Sequence, residues 1–194
     1  MIVSDFNTKN DMLTPDQQDF YNRWLAKADN IENGDIASLI DKYVTLFINY
    51  NFLYNIVPAK KAEATGNARE QVGDRTGATT FTIGFLGAAN IAQHFTEQDL
   101  DGQILSLCLA MPHFNIDLNR GTPQPDRDQQ LIKGLQSASP GTKMLALMKT
   151  LYSIRCNIVH GEKMLHQYQE LLLLPAIQLL RAVVVYLYSR LNNQ

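Results

Sequence analysis

Only two cysteines, Cys108 and Cys156, occur in 194 residues. They stand far apart and in no metal-ligand spacing, which excludes a disulfide scaffold and a zinc ribbon and suits a reducing cytosol. Charge is nearly balanced, 19 acidic against 17 basic side chains for a formal net charge of −2. That argues against a protein that coats nucleic acid over its whole surface, while leaving room for a local basic site. The opening Met1-Ile2-Val3-Ser4-Asp5-Phe6 has no basic segment followed by an apolar run, so no signal peptide is expected. Gly66, Gly73, Gly77, Gly84 and Gly87 belong to no Gly-Lys-Ser/Thr motif, which excludes a P-loop. Strand-like alternation is confined to one short candidate, Thr79–Ile83, and there are no internal repeats and no low-complexity tail.

Apolar residues make up 45% of the chain. At roughly 150 residues per domain, one domain over 1–194 is the default, and a chain this long buries about 70% of its unfolded surface without a covalent staple. The most membrane-like stretch, Leu171–Tyr188, carries Pro175, Gln178 and Arg181. An arginine at mid-span costs about 2.5–3.5 kcal/mol on insertion scales, so the segment reads as a buried core helix. The expectation is a cytoplasmic protein with no membrane partner.

Helical signals dominate. After an N-terminal arm (1–13), Thr14-Pro15-Asp16-Gln17 has the form of an N-cap, a proline at the first helical position and a polar first turn. That helix runs to about Ala28, and Asn33-Gly34 breaks the chain. Ile36, Ile40, Tyr43, Phe47, Tyr50, Tyr54 and Val57 then alternate gaps of four and three, the seam of a helix packed lengthwise, with Pro58 expected to end it. Residues 58–80 and 117–126 read as loops. Further helices are expected over about Thr80–Phe95, Gln98–Ala110, Asp126–Ser137, Lys143–His160 and Met164–Leu191, the last kinked or restarted at Pro175. The fold predicted is all-α, an up-and-down bundle of about four long helices with shorter additions.

One helix stands out chemically. With Met144 at 0° and a 100° step, the apolar residues of 144–159 fill an arc from about 280° round to 100°, and Arg155 falls at about 20°, inside it. A guanidinium keeps its charge, so it must meet an acceptor, an anion or a water-filled cavity. One reading pairs it with a carboxylate of another helix, such as Glu32, Asp35 or Asp41. The other makes it half of a site with His160, five residues on and next to Gly161. An ideal helix sets the two about 140° apart. They meet only if the helix ends at His160 or if two copies join across a dimer axis.

The stretch Ser153-Ile154-Arg155-Cys156-Asn157-Ile158-Val159-His160-Gly161-Glu162-Lys163, preceded by Tyr152, resembles the Arg-x4–6-His signature of the HEPN family (higher eukaryotes and prokaryotes nucleotide-binding), of its Apea-like and ribonuclease-toxin type. Leu46–Asn55 resembles the aromatic-Asn-x-Leu-Tyr segment of an early helix in such domains. The two segments cover about a tenth of the chain. The resemblance implies a homodimeric, metal-independent endoribonuclease of a toxin–antitoxin or defence setting, with RNA as substrate and a protein antitoxin as partner. It implies Arg155 and His160 as catalytic residues, Asn157 and Lys163 as substrate contacts, and Tyr152 and Gly161 as structural residues of the site. One departure stands beside it: nuclease members often carry a polar residue after the arginine, and this chain has Cys156. A non-catalytic dimerisation or RNA- or nucleotide-binding module is the alternative.

The chemistry is self-consistent. Cleavage of RNA by its own 2′-OH needs a group that moves a proton, which a histidine near pKa 6.5 supplies, and a cation on the phosphate, which an arginine fork supplies. From Lys143 to His166 the basic residues Lys143, Lys149, Arg155 and Lys163 face Glu162 alone. His94 and His113 are isolated and His160 and His166 lie six apart, so neither a metal nor a cofactor is expected. No Cys-His-Asn arrangement accompanies Cys156. The stripe Tyr43, Phe47, Tyr50, Tyr54 is expected to be core, with Asn49 and Asn51 in interhelical hydrogen bonds.

Overall fold

A computed structural model describes residues 13–119, 121–159 and 167–192. Helix α1 (Pro15–Asp29) starts where the capping residues predict. Thr14 Oγ1 accepts the Gln17 N–H and Gln17 Oε1 accepts the Thr14 N–H, a reciprocal capping box. Helix α2 (Ile36–Thr65) starts on Asp35, whose carboxylate accepts the Ser38 N–H and hydroxyl at 2.9 and 2.7 Å. These bonds from Ser38 hold the Asp35 carboxyl below its ordinary pKa. Leu13 is buried, and its N–H meets Asn192 Oδ1 at 3.3 Å, tying the entry of α1 to the end of the last helix.

Two expectations about the next segment are corrected. Pro58 does not end α2, which continues a further two turns to Thr65. A proline inside a helix removes one backbone donor and costs about 3 kcal/mol. Here the following Ala59-Lys60-Lys61-Ala62-Glu63 are strong helix formers, and Lys60 pairs with Glu63 at 3.2 Å across one turn. The stop comes at Gly66, whose φ of 67° is open to glycine at no steric cost. The 58–80 region is therefore helix to Thr65, irregular chain to Gly73, then a short α3 (Asp74–Thr76) running into a turn of π-helix, Gly77–Phe81. Thr79–Ile83, the strand candidate, lies in that π-turn and in α4 (Thr82–Leu86).

Helix α5 (Ala88–Glu97) is separated from α4 by Gly87, at φ 79°, so the expected Thr80–Phe95 helix is two. Helix α6 (Asp101–Ala110) follows, then a 3-10 turn, Met111–His113. The 117–126 region is not all loop. It holds a two-residue antiparallel ladder, β1 (Leu118–Asn119) with β2 (Thr122–Pro123), and then opens α7 (Pro125–Leu135). Helix α8 spans Pro140–Val159 and α9 spans Glu170–Leu191, with Pro175 inside α9. The result is the expected all-α helical bundle.

Helix α2 is the spine, packed along α9 and α1, while α8 lies between α5 and α7 and meets α2 across the π-turn. The tyrosine seam is core as expected: Tyr43, Phe47, Tyr50 and Tyr54 are all buried, and they share one apolar cluster with Leu179, Leu180, Val183, Val184 and Leu187 of α9. Each such leucine or valine contributes about 1.5–3 kcal/mol on burial. Helix α9 is long and apolar enough to cross a bilayer, yet 56% of that stretch is buried inside the chain. Its Arg181 makes a bidentate pair with Asp29 at the end of α1, both bonds 2.8 Å. That pair draws the Asp29 carboxyl below its ordinary pKa.

Candidate functional site

The seam of α2 does more than fill the core. Tyr43 donates its hydroxyl to Leu151 O at 2.6 Å, the carbonyl one turn before Arg155. Tyr50 donates to Ala78 O in the π-turn. Tyr54 donates to the carboxylate of Asp74. Three phenols at heptad-like spacing thus fix α8, the π-turn and α3 against one helix face.

Arg155 lies at the junction. Its guanidinium carbon sits 5.6 Å from the Phe47 ring centroid and 6.0 Å from that of Tyr152, and Nη1 donates to Cys156 Sγ at 4.0 Å. The side chain is half-buried, and among the described residues no carboxylate oxygen lies within ion-pair distance of it. Asp35 is engaged at the α2 N-cap, and neither Glu32 nor Asp41 reaches the guanidinium. Burial opposes the charge, but the Cys156 sulfur, Asp74 and Tyr152 outweigh it, so the Arg155 pKa lies above its ordinary value. Ring faces supply about 0.5–2 kcal/mol of attraction without using the guanidinium's N–H donors.

Tyr152 donates its hydroxyl to Asp74 Oδ2 at 2.8 Å. Burial first, and this bond next, push its phenol well above its ordinary pKa, as they do for Tyr54. Asp74 therefore accepts two phenols, one on each of its oxygens. It orients the Tyr152 ring, and that ring flanks Arg155. Neither spacing nor motif points to Asp74 in the sequence: it follows Gly73 in a weakly patterned stretch and lies 78 positions from Tyr152.

Asn157 sits elsewhere. It is buried, and its amide nitrogen donates to Asn115 O at 3.2 Å and Ile116 O at 3.0 Å. On the helix it is about 160° from Arg155, so it docks the 115–116 backbone onto α8 rather than joining the arginine. Asn49 is fully buried and donates to Tyr21 O of α1 at 3.0 Å, the interhelical bond expected of it, whereas Asn51 accepts instead from Asn55 Nδ2 one turn on in α2. His160, Gly161 and Lys163 lie outside the described residues. Val159, the last described residue of α8, is exposed. Among the described residues no group of three or more His, Cys, Asp or Glu side chains could hold a metal ion. His94 stacks on Tyr186 with centroids 4.4 Å apart, and burial lowers its pKa.

A second feature borders the first. Arg75, next to Asp74, lines a cleft of about 470 Å³ between α7 and α8, together with Arg127 and Lys149. The buried carboxylate of Asp117 lies 3.8 Å from Arg75 Nη2 and 3.8 Å from Arg127 Nη1.

Comparison of the chain with protein families, curated proteins and solved structures finds no match.

Proposed function

We propose that this chain is a HEPN-type, metal-independent endoribonuclease of a toxin–antitoxin or defence system, acting in the cytoplasm as a homodimer and restrained by a protein antitoxin. The observation that carries the reading is Arg155: a half-buried guanidinium held by aromatic faces, with no carboxylate partner among the described residues. A cation whose N–H donors no carboxylate takes up among the described residues suits an anion, and a planar fork suits the two non-bridging oxygens of a phosphodiester.

In the proposed reaction His160 takes the proton of the ribose 2′-OH, and the oxygen attacks phosphorus. Arg155 stabilises the added charge on the phosphoryl oxygens. The bond from phosphorus to the 5′ oxygen breaks, and that oxygen receives a proton from a histidinium, in the composite site that of the second copy. The products are a 2′,3′-cyclic phosphate and a 5′-hydroxyl. Tyr152 and Asp74 are positioning residues for Arg155, Lys163 attracts the strand, Gly161 is a structural residue of the site, and Asn157 keeps α8 in register with the 115–116 segment.

A non-catalytic HEPN dimerisation or RNA- or nucleotide-binding module is the second reading, favoured by the sulfur of Cys156 standing against Arg155 Nη1. The two part on one experiment. Purified protein incubated with RNA and EDTA is expected to leave 2′,3′-cyclic phosphate ends. RNA that is bound and never cut overturns the nuclease reading in favour of the module.

A further inference from the structure

The cleft between α7 and α8 has a charge pattern that a structural ion-pair network does not need. Among the described residues three cations, Arg75, Arg127 and Lys149, line it, against one carboxylate, Asp117. Asp117 is held in place from behind, its N–H donating to Asp128 Oδ1 at 2.7 Å. Both arginines stand 3.8 Å from it, well outside the about 2.7–2.9 Å of a charge-assisted hydrogen bond. Their N–H donors are therefore not used up by Asp117. Both arginines are half exposed, with side-chain exposures of 50% and 55%. Lys149 has no carboxylate partner among the described residues. The floor is apolar, from Leu131, Leu145 and Ala146. An open cleft whose lining carries three cations to one carboxylate, over an apolar floor, matches the chemistry of a nucleotide: anionic phosphate at the rim, flat base beneath.

The cleft also has a direction. Asp74 and Arg75 are consecutive, and they serve the two sites separately: Asp74 binds Tyr152 beside Arg155, and Arg75 lines the cleft. Along α8, Lys149 precedes Arg155 by six residues, about 9 Å of helix axis, and Tyr152 lies between them in both height and angle. Lys149 in the cleft and Arg155 thus lie on adjoining faces of α8, with Tyr152 and its partner Asp74 between them.

We propose that this cleft binds the phosphate groups of an RNA strand and leads it toward Arg155. The phosphate chemistry stands on the cleft itself; RNA as its carrier rests on the reading of Arg155 above.

The test is the salt dependence of binding for a labelled, 2′-O-methylated single-stranded RNA oligomer, which cannot be cleaved, followed by fluorescence anisotropy. Lys149→Gln and Arg127→Gln should each weaken binding and flatten the slope of log affinity against log salt by about 0.7, the value for one lost phosphate contact on a single strand. Arg23→Gln on α1 makes the same change of charge outside the cleft and should leave the slope unaltered. Far-UV circular dichroism establishes that each variant is folded; Lys149, which has no ion pair to lose among the described residues, is the safer of the two. Unchanged affinity and slope in the Lys149→Gln/Arg127→Gln double variant overturns the proposal. So does a mononucleotide that binds through Lys149 while the strand does not, since the phosphate then comes from a small ligand. A slope that depends on Lys149 and Arg127 in a protein that never cleaves RNA supports the cleft and removes only the nuclease reading.

Discussion

Raising the pH above 10 should unfold this protein abruptly, because its core holds tyrosines that cannot ionise in place. Tyr43, Tyr50, Tyr54 and Tyr21 are 0%, 1%, 1% and 4% exposed. Burial is the first cause raising each of their pKa values, to about 12 for Tyr21 and well above the ordinary 10.0 for the other three. A folded pKa above the unfolded one means that the stability is complete below pH 10 and is lost as pH climbs toward the folded value. Each such group then costs about 1.4 kcal/mol per pH unit. Four together cost about 5.6 kcal/mol per unit, and a typical net stability of about 5–15 kcal/mol is exhausted about one to three units above pH 10. The assay is a titration that follows tyrosinate absorbance and far-UV circular dichroism in the same sample. The buried tyrosines should ionise in the same cooperative step in which helix is lost. Tyr50→Phe, which also removes the hydrogen bond to Ala78 O, should lower the pH slope of stability by about 1.4 kcal/mol per unit. Tyrosine ionisation completed gradually near pH 10, with the helices intact, would refute the reasoning.

Three further outcomes follow from the packing and the site. A Cβ at Gly134 would stand 2.6 Å from Ala146 Cβ where α7 crosses α8, so Gly134→Ala should cost about 1–3 kcal/mol, and Ala146→Gly should recover part of it in the double variant; a thermal melt no lower than wild type would contradict this contact. His94, pushed down by burial, lends stability that is present above pH 6.5 and lost as pH falls through its lowered pKa; its imidazole resonance should titrate below 6.5, and a midpoint above that value sinks the assignment. Light scattering at micromolar concentration should give the mass of a dimer, since the proposed site takes a histidine from each copy; a monomer that retains full RNA cleavage would exclude the composite site.

What the sequence discloses here is local. Thr14-Pro15-Asp16-Gln17 and Asp35 place two helix starts because a cap needs only neighbours three residues away. The α2 seam is legible for the same reason, since one period repeats over Ile36–Val57. Pro58 misleads because its cost is offset by helix formers that follow it. The arginine was legible as a residue but not as a position. The helical wheel of 144–159 counts apolar side chains, and it centres the buried face near Arg155. In the folded chain Thr150, Ser153 and Asn157 are buried too. Thr150 bonds back to Ala146 O at 2.9 Å and Asn157 to the 115–116 carbonyls, so polar residues occupy interior positions by hydrogen bonding. The buried arc is thereby turned toward them, which leaves Arg155 at its edge, where a cation can be both packed and reachable. Asp74, Arg75 and the cleft depend on contacts 40 to 80 residues apart, and nothing in a single sequence marks which irregular segment will fold back onto α8.

The most direct test of the central claim is a double-mutant cycle on RNA cleavage in the presence of EDTA, with Arg155→Ala, His160→Ala and the double variant. Loss of the proton-transfer group should slow cleavage by about 10²–10⁴-fold, and loss of the charge-stabilising group by about 10²–10³-fold. If the two act as one unit, the double variant should be little slower than the worse single variant. Undiminished cleavage by His160→Ala, in protein that circular dichroism shows to be folded, would contradict the account.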